Sequence, residues 1–348
     1  MTHYMVSPCN PPVFPLLELA SVYPDIAQMA CPPERALMLL QTNKTFASKF
    51  LRATLRARLG SGTERPDFLH GMGLAEALTP LLAKLAGVTT LDLNCMRLGS
   101  HGARVLACIL RDPKTNIGRL VLDENNMDFE YPTEKIPENP RIRDVATRFP
   151  PVLQFLGEHE THTPESGMAA LVDALLANET VKEVNLELNG IRVESWPHLL
   201  RLVRESRTLQ VLMLGYNGTI GSPPAWLLSE LVMAVSQSTL QVFSMATSEL
   251  GETTAVAIIR SLRTNKTLQV LDLSGVCFNE RDLIDALRYT LAKNTTLATL
   301  HIADLKVREH FRDKRLSLAR VERSMPHPFT LKIGPYLSRP YDFFFERP

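Results

Sequence analysis

A motif of about 28 residues recurs along this chain and limits its fold more than any other feature. LQVLDLSGVCF begins at Leu268, and related strings begin at Val88, Val181, Leu209 and Leu240. Each string has apolar residues at its first, fourth and sixth positions, followed by a helix-like pattern of Leu and Ala. A fixed period of this length predicts stacked units, each made of one β-strand and one helix.

The second apolar position of each string serves as the anchor of its unit. The anchors are Leu91, Leu120, Val184, Leu212, Phe243, Leu271 and Leu300. Apolar residues also stand three residues before the anchor and two after it. Equivalent residues of neighbouring parallel strands lie about 4.8 Å apart, so these side chains are predicted to form one continuous core. Helical halves are predicted at 102–110, 167–176, 254–262 and 282–291.

One gap between anchors, from Leu120 to Val184, is 64 residues long. Counting 28 residues back from Val184 gives Leu156, and Gly167 stands eleven residues after it, as Gly102 does after Leu91. We therefore predict a degenerate eighth unit anchored at Leu156. The preceding unit would carry an irregular insertion at about 128–152, where five prolines exclude an uninterrupted helix. A disordered insertion is the alternative.

Asparagine recurs five residues after the anchor, where the chain turns out of the strand. Asn125, Asn189 and Asn217 occupy this position, while Met96, Val276 and Leu305 occupy it in other units. An Asn side chain can both donate to and accept from the backbone groups that such turns leave exposed. We expect an incomplete ladder of these bonds along the stack.

The pattern LxxLxLxxN at this spacing resembles the ribonuclease-inhibitor-like class of leucine-rich repeats, over about residues 66–305. The resemblance implies an α/β solenoid curved into a horseshoe, with about eight strand–helix units. A parallel sheet would line the concave side, helices would lie outside, and helical caps would close the ends. Such proteins are usually intracellular and usually bind another macromolecule. The fold itself does not dictate a function.

The remaining segments complete a four-part organisation. Residues 1–33 form a Pro-rich N-terminal extension, 34–65 an N-terminal helical cap, 66–305 the repeat domain and 306–348 a C-terminal helix with an aromatic tail. The basic segment 44–65 is read as a cap that covers the first strand, with a docking helix for an acidic surface as the alternative. The tail residues Tyr336, Tyr341, Phe343, Phe344 and Phe345 carry too much apolar surface to stay exposed in a lone monomer. They either fold back as a cap or insert into a partner.

The composition, and the lack of certain sequence patterns, exclude several functional classes. A net charge of +1 gives no general attraction to nucleic acid, and no apolar run is long enough to span a membrane. The N-terminus lacks the pattern of a secretory signal, and the five cysteines are read as free thiols of a reducing compartment. Asn-x-Thr triplets stand at Asn43, Asn178, Asn217, Asn265 and Asn294. Those at Asn178, Asn265 and Asn294 fall in the turn before a strand, so repeat turn chemistry explains them better than glycosylation.

No catalytic, cofactor or small-molecule signature is found. The chain lacks a GxxxxGK[ST] phosphate loop, HExxH, a GxSxG elbow and paired CxxC motifs. An EHETH string at 158–162 is read as a solvated loop, because its alternate residues would lie on opposite strand faces. GTPase-activating proteins for Ran use the same repeat class, and Arg97 is the arginine that would make a matching contact. We predict that the chain is not an enzyme and needs no cofactor or metal.

Residues one and three positions after each anchor are expected on the concave face. This face passes from acidic side chains in the N-terminal half to small and mildly apolar ones in the C-terminal half. The candidate partner-binding residues are Asp92, Asp123, Glu124, Glu187, Met213, Tyr216, Tyr341, Phe343, Phe344 and Phe345. A basic segment would be steered to the acidic half. The alternative is that these charges only keep an open sheet soluble.

The sequence therefore predicts a non-enzymatic scaffold that holds protein partners within a multi-subunit intracellular assembly. It also resembles leucine-rich-repeat subunits of ciliary and flagellar assemblies, of the T-complex-associated testis-expressed type in the nexin–dynein regulatory complex. That resemblance implies a cytoplasmic, axonemal setting. A Ran-type GTPase-activating protein and a subunit of a ribonucleoprotein particle are the alternatives. No RNA-binding motif supports the latter.

Overall fold

The computed structural model describes residues 89–94, 98–113, 115–128, 166–217, 224–248, 250–276, 278–302 and 329–333. Within these ranges, strands and helices alternate along most of the chain. The strands are β1 (Thr90–Asp92), β2 (Arg119–Val121), β3 (Glu183–Asn185), β4 (Val211–Met213), β5 (Val242–Ser244), β6 (Val270–Asp272), β7 (Thr299–Ile302) and β8 (Thr330–Ile333). The α-helices are α1 (Gly99–Arg111), α2 (Gly167–Ala177), α3 (Trp196–Glu205), α4 (Ala225–Gln237), α5 (Glu252–Ser261) and α6 (Glu280–Leu291).

The eight strands form one parallel sheet in the order of the sequence, from β1 to β8. The predicted anchors are in register from strand to strand: Leu91 pairs with Leu120, Val184 with Leu212, and Leu271 with Leu300. Each predicted helical half is helical and links two neighbouring strands. The prediction of stacked strand–helix units is therefore confirmed for the described residues.

The predicted unit at Leu156 is wrong. β2 pairs directly with β3, with Leu120 opposite Val184, so no strand fits between them. Helix α2 packs against α1, and its first amide, that of Gly167, donates to Ser100 Oγ at 2.8 Å. A Cβ at Gly167 would lie 2.2 Å from the Ser100 carbonyl oxygen, so this glycine permits a close helix contact. The spacing of the glycines thus reflected helix packing, and the predicted insertion at about 128–152 lies almost entirely outside the described residues.

The eighth strand lies at the other end of the sheet. β8 pairs in parallel with β7, and Leu331 continues the row of anchors beside Leu300. Its side chain packs against the core, and the neighbouring Phe329 is buried. Sequence reasoning did not identify this strand, because the segment lacks an apolar residue three positions before Leu331.

The core lies between the sheet and the helices. All seven predicted anchors expose 1% or less of their surface. They belong to one cluster with the inward faces of the helices, including Leu106, Leu171 and Leu287. Burying each such side chain stabilises the fold by roughly 1.5–3 kcal/mol.

The Asn ladder at the strand ends is present in the units of β2, β3 and β4. The Asn189 side chain donates to the carbonyl oxygens of Leu122 (2.9 Å) and Glu187 (3.0 Å). Its Oδ1 atom accepts from the amides of Asn125 (3.1 Å) and Met127 (3.2 Å). One side chain therefore satisfies four backbone groups in two neighbouring units.

A second ladder, at the turns that lead into the strands, explains the Asn-x-Thr triplets. Asn178, Asn265 and Asn294 are buried, and each donates its side-chain NH₂ to a carbonyl of the preceding unit. Thr180, Thr267 and Thr296 donate from their hydroxyls to the same turns. Asn217 is equally buried and bonded. The assignment of Asn178, Asn265 and Asn294 to repeat turns is confirmed; Asn43 lies outside the described residues.

Several expectations concern residues outside the described ranges and stay predictions. They include the extension at 1–33, the cap at 34–65 and the aromatic tail. Among the helices that the described ranges contain, none is long and apolar enough to cross a bilayer.

Candidate functional site

One face of the sheet points away from the helices, and we call it the free face. Successive strand side chains point to opposite faces, so residues next to an anchor project onto it. Met213 shows that this face is separate from the core between the sheet and the helices. Its side chain is fully buried, and yet it does not belong to the apolar core cluster. Parallel sheets usually have both faces covered, so this surface is the first place to look for a site.

The end of the free face formed by β1, β2 and β3 is acidic. It carries Asp92, Asp123, Glu124 and Glu187, as the sequence predicts. Asp92 is half-buried, and its Oδ1 accepts from the amide of Asn94 at 3.2 Å. Glu124 is exposed, whereas Asp123 and Glu187 are buried.

The ionised form of the Asp123 carboxyl group is disfavoured at this end. Burial raises the pKa of its carboxyl group above the usual value, and the nearby carboxylates of Asp92 and Glu124 raise that pKa further. Hydrogen bonds from its own backbone amide and from Asn94 oppose the shift. A cation placed here would relieve this repulsion.

The centre of the free face is apolar. Val211, Val242 and Val270 stand directly before the anchors of β4, β5 and β6, in register and half-buried. Met213 and Ser244, after the same anchors, are closed to solvent. The expectation that residues one and three positions after each anchor line this face omits these valines, although their position one residue before each anchor could be read from the sequence.

The far end of the free face carries three aligned ionisable residues. Asp272 is opposite His301 on the neighbouring strand, and His301 is opposite Lys332. Ser244 Oγ donates to Asp272 Oδ2 at 3.3 Å and extends the row by one strand. Sequence reasoning missed Lys332 because it missed β8.

Burial is the main cause of the pKa shifts of His301 and Lys332. It lowers the pKa of His301 below its usual value; Asp272 opposes that shift and Lys332 adds to it. Burial also lowers the pKa of the Lys332 ammonium group. The charged form is therefore disfavoured for the Asp123 carboxylate at one end of the free face, and for the His301 and Lys332 cations at the other.

The candidate binding residues divide into two groups. Asp92, Asp123, Glu124, Glu187, Met213 and Tyr216 lie at strand ends on or beside the free face. Tyr341, Phe343, Phe344 and Phe345 lie outside the described residues, as do Arg97 and the EHETH string. Their predicted roles are untested.

The described residues show no other chemical centre. Within them, no group of three or more His, Cys, Asp or Glu side chains is placed to hold a metal ion. Cys108 is a half-buried free thiol, and burial raises its pKa despite the opposing charge of Arg111. A raised pKa keeps a thiol protonated and poorly nucleophilic.

These features define a strand–helix repeat protein with one sheet face left without described helices. Among solved structures it is similar to leiomodin-1 actin-binding site 2 (ABS2). The likeness has 19% sequence identity and a TM-score of 0.29, and it covers 44% of this chain and 79% of that chain. No protein-family model matches the sequence, and no curated protein matches it.

Proposed function

We propose that this protein is a non-enzymatic leucine-rich-repeat scaffold that binds a protein partner through its free face. The observation that supports this best is the row of half-buried valines, Val211, Val242 and Val270, between two polar ends. Protein interfaces typically combine such an apolar centre with a polar rim. The absence of phosphate-loop, nucleophile-elbow and HExxH motifs from the sequence supports binding without catalysis.

A matched pair of substitutions tests which face binds. Val242→Lys places a charge at the centre of the free face. Met233→Lys makes the same kind of change on α4, where Met233 is 54% exposed. The tagged full-length chain and both variants are used for quantitative affinity purification, and their thermal unfolding is compared first. We expect Val242→Lys to lose the partners that co-purify with the unaltered chain and Met233→Lys to keep them.

The opposite pattern, with loss only in Met233→Lys, would show that the helix side binds and would refute the proposal. The termini are tested separately by deleting 1–33 or 334–348. The second deletion begins after β8, which ends at Ile333, so the sheet stays complete. An unchanged set of partners in both deletions would refute the docking role predicted for the termini.

We further propose that the assembly is ciliary or flagellar, which rests on the resemblance in repeat type, capping helix and size. Fluorescently tagged protein in ciliated cells should then be found along the axoneme. A signal confined to the cell body would refute this setting and leave the scaffold proposal intact. The described residues supply no observation that favours the Ran-type or the ribonucleoprotein alternative.

A further inference from the structure

A row of residues in the left-handed backbone region borders the free face. The residue four positions after the anchor has a positive φ in five successive units: 57° at Glu124, 55° at Leu188, 59° at Tyr216, 52° at Thr247 and 91° at Gly275. Backbone bonds tie the row together, since the amide of Leu188 donates to Gly215 and that of Tyr216 to Ala246. The row is therefore a regular part of the stack.

Four of these five positions lack the residue that suits them best. Left-handed backbone is free of steric cost only for glycine, and a bulky or β-branched residue there costs on the order of 1–2 kcal/mol. Gly275 has the residue that suits this backbone, and space also requires glycine there, because a Cβ would lie 3.0 Å from Thr247 Cα. Glu124, Leu188 and Tyr216 instead keep large side chains despite this cost.

These three side chains are also accessible. Glu124 is exposed, Leu188 is 40% exposed, and Tyr216 is half-buried. The adjacent candidates Glu187 and Met213 are closed to solvent. Strained residues that persist at accessible positions point to a function.

We propose that Glu124, Leu188 and Tyr216, the rim stripe, are the contact surface for an amphipathic helix of the partner, with a basic residue over Glu124 and apolar residues over Leu188 and Tyr216. This rests on the proposed scaffold function and names the class of partner. Three neighbouring units span about 10 Å at 4.8 Å per strand. Residues i and i+7 of a helix span about 10.5 Å, so side chains at i, i+4 and i+7 match the stripe.

Charge complementarity determines which end of the helix is basic. Glu124 lies beside Asp123 and near Asp92, and the mutual repulsion of these carboxylates is relieved by a lysine or arginine. Leu188 and Tyr216, one and two units further along, offer only apolar and aromatic surface with one hydroxyl group. A helix with the reverse arrangement would place its cation over apolar side chains.

Three designed peptides test the inference on the full-length chain. Each is a fluorescein-labelled, Ala-rich helix of about 20 residues. The first carries Lys, Leu and Phe at i, i+4 and i+7; the second has the same residues at i, i+5 and i+6, on three different faces. The third keeps Lys and has Ala in place of Leu and Phe. Fluorescence anisotropy should show clear binding only for the first, weakening as ionic strength rises.

Paired substitutions then separate binding from stability. Leu188→Ala and Leu188→Gly both remove the apolar contact and should each weaken binding of the first peptide roughly tenfold. Leu188→Gly also removes the left-handed strain, so it should unfold at a higher temperature than Leu188→Ala. Tyr216→Ala and Tyr216→Gly should behave in the same way. Met233→Ala, on α4, is the control and should leave peptide binding unchanged.

Equal binding of the first and second peptides would overturn the inference, as would binding that survives Leu188→Ala and Tyr216→Ala. Failure of all three peptides to bind would overturn it too. None of these results would refute the scaffold proposal, which the Val242→Lys and Met233→Lys comparison tests independently.

Discussion

The two halves of the sheet use the same backbone with different side chains. In the units of β2, β3 and β4 an asparagine stands at the strand end, and the buried carboxylates Asp123 and Glu187 lie beside β2 and β3. In the units of β5 and β6 that position holds Ser248 and Val276, and Asp272 begins a row that continues to Lys332. Strand pairing and core burial are alike in both halves. The repeat therefore fixes the core and leaves the strand ends free to differ.

The largest expected effect tests whether the cores of the two halves are equivalent. Leu120 and Leu271 are anchors with no exposed surface. Leu120→Ala and Leu271→Ala should each lower the free energy of unfolding by about 2–5 kcal/mol, because each leaves a cavity in the shared core. Urea denaturation measures both. A loss in only one variant would show that the halves differ in their packing as well as in their surfaces.

The next largest effect separates the two kinds of strand end. Asn189→Ala deprives four buried backbone groups of their partners and should cost about 2–4 kcal/mol. Ser248→Ala removes only long bonds to the carbonyls of Leu214 and Ala246, at 3.3 and 3.4 Å. It should cost less than about 1 kcal/mol. Urea denaturation measures both variants. If Asn189→Ala and Ser248→Ala lower the free energy of unfolding equally, the asparagine side chains are not the main stabilising groups at the strand ends.

Most of the repeat could be read from the sequence because its signal is periodic. Apolar side chains at a fixed spacing must share a face, so the anchors, the helices and the Asn ladder followed from the pattern. The failure at Leu156 is instructive. Gly167 kept the expected distance because α2 must approach Ser100 closely, which requires a small residue whatever lies upstream. The position of Gly167 is fixed by helix packing, but it was interpreted as evidence for a strand at Leu156.

The candidate site was predictable only in part. Asp92, Asp123 and Glu187 lie where the spacing placed them, but burial is a property of the assembled stack and cannot be read from one unit. The left-handed backbone at Leu188 and Tyr216 left no signal, because neither residue is glycine. Lys332 joins the free face through β8, whose core pattern is incomplete.

The acidic end should respond to pH through Asp123. Its pKa in the folded protein is above the usual 3.8, so between those two values the folded state holds more protons than the unfolded state. The contribution of Asp123 to stability therefore falls as pH rises through this window, and at neutral pH it is unfavourable. Asp123→Asn should be more stable than the unaltered chain at pH 7, by less than the cost of Asn189→Ala.

That gain should shrink as the pH falls toward 3.8, because the Asp123 carboxyl of the unaltered chain then becomes neutral. Thermal unfolding at a series of pH values measures it, with Glu179→Gln, at an exposed position before β3, as the control. An Asp123→Asn variant that is less stable at pH 7 would mean that its hydrogen bonds with Asn94 and Asn185 outweigh the repulsion.

The smallest effect, at the far end, should have the opposite sign. His301 has a pKa below its usual 6.5 in the folded protein, so in that window the unfolded state holds more protons. The contribution of His301 to stability is therefore lost as pH falls from 6.5 through the folded pKa. His301→Gln should remove this loss, and the effect is small because the ring is only half-buried and solvent screens it. Acidification therefore weakens the β6–β8 end and relieves the β1–β3 end.

A variant carrying both His301→Gln and Asp123→Asn should show the sum of the two changes, because the residues lie five strands apart and share no partner among the described contacts. Non-additive changes would mean that the free face responds to pH as one unit.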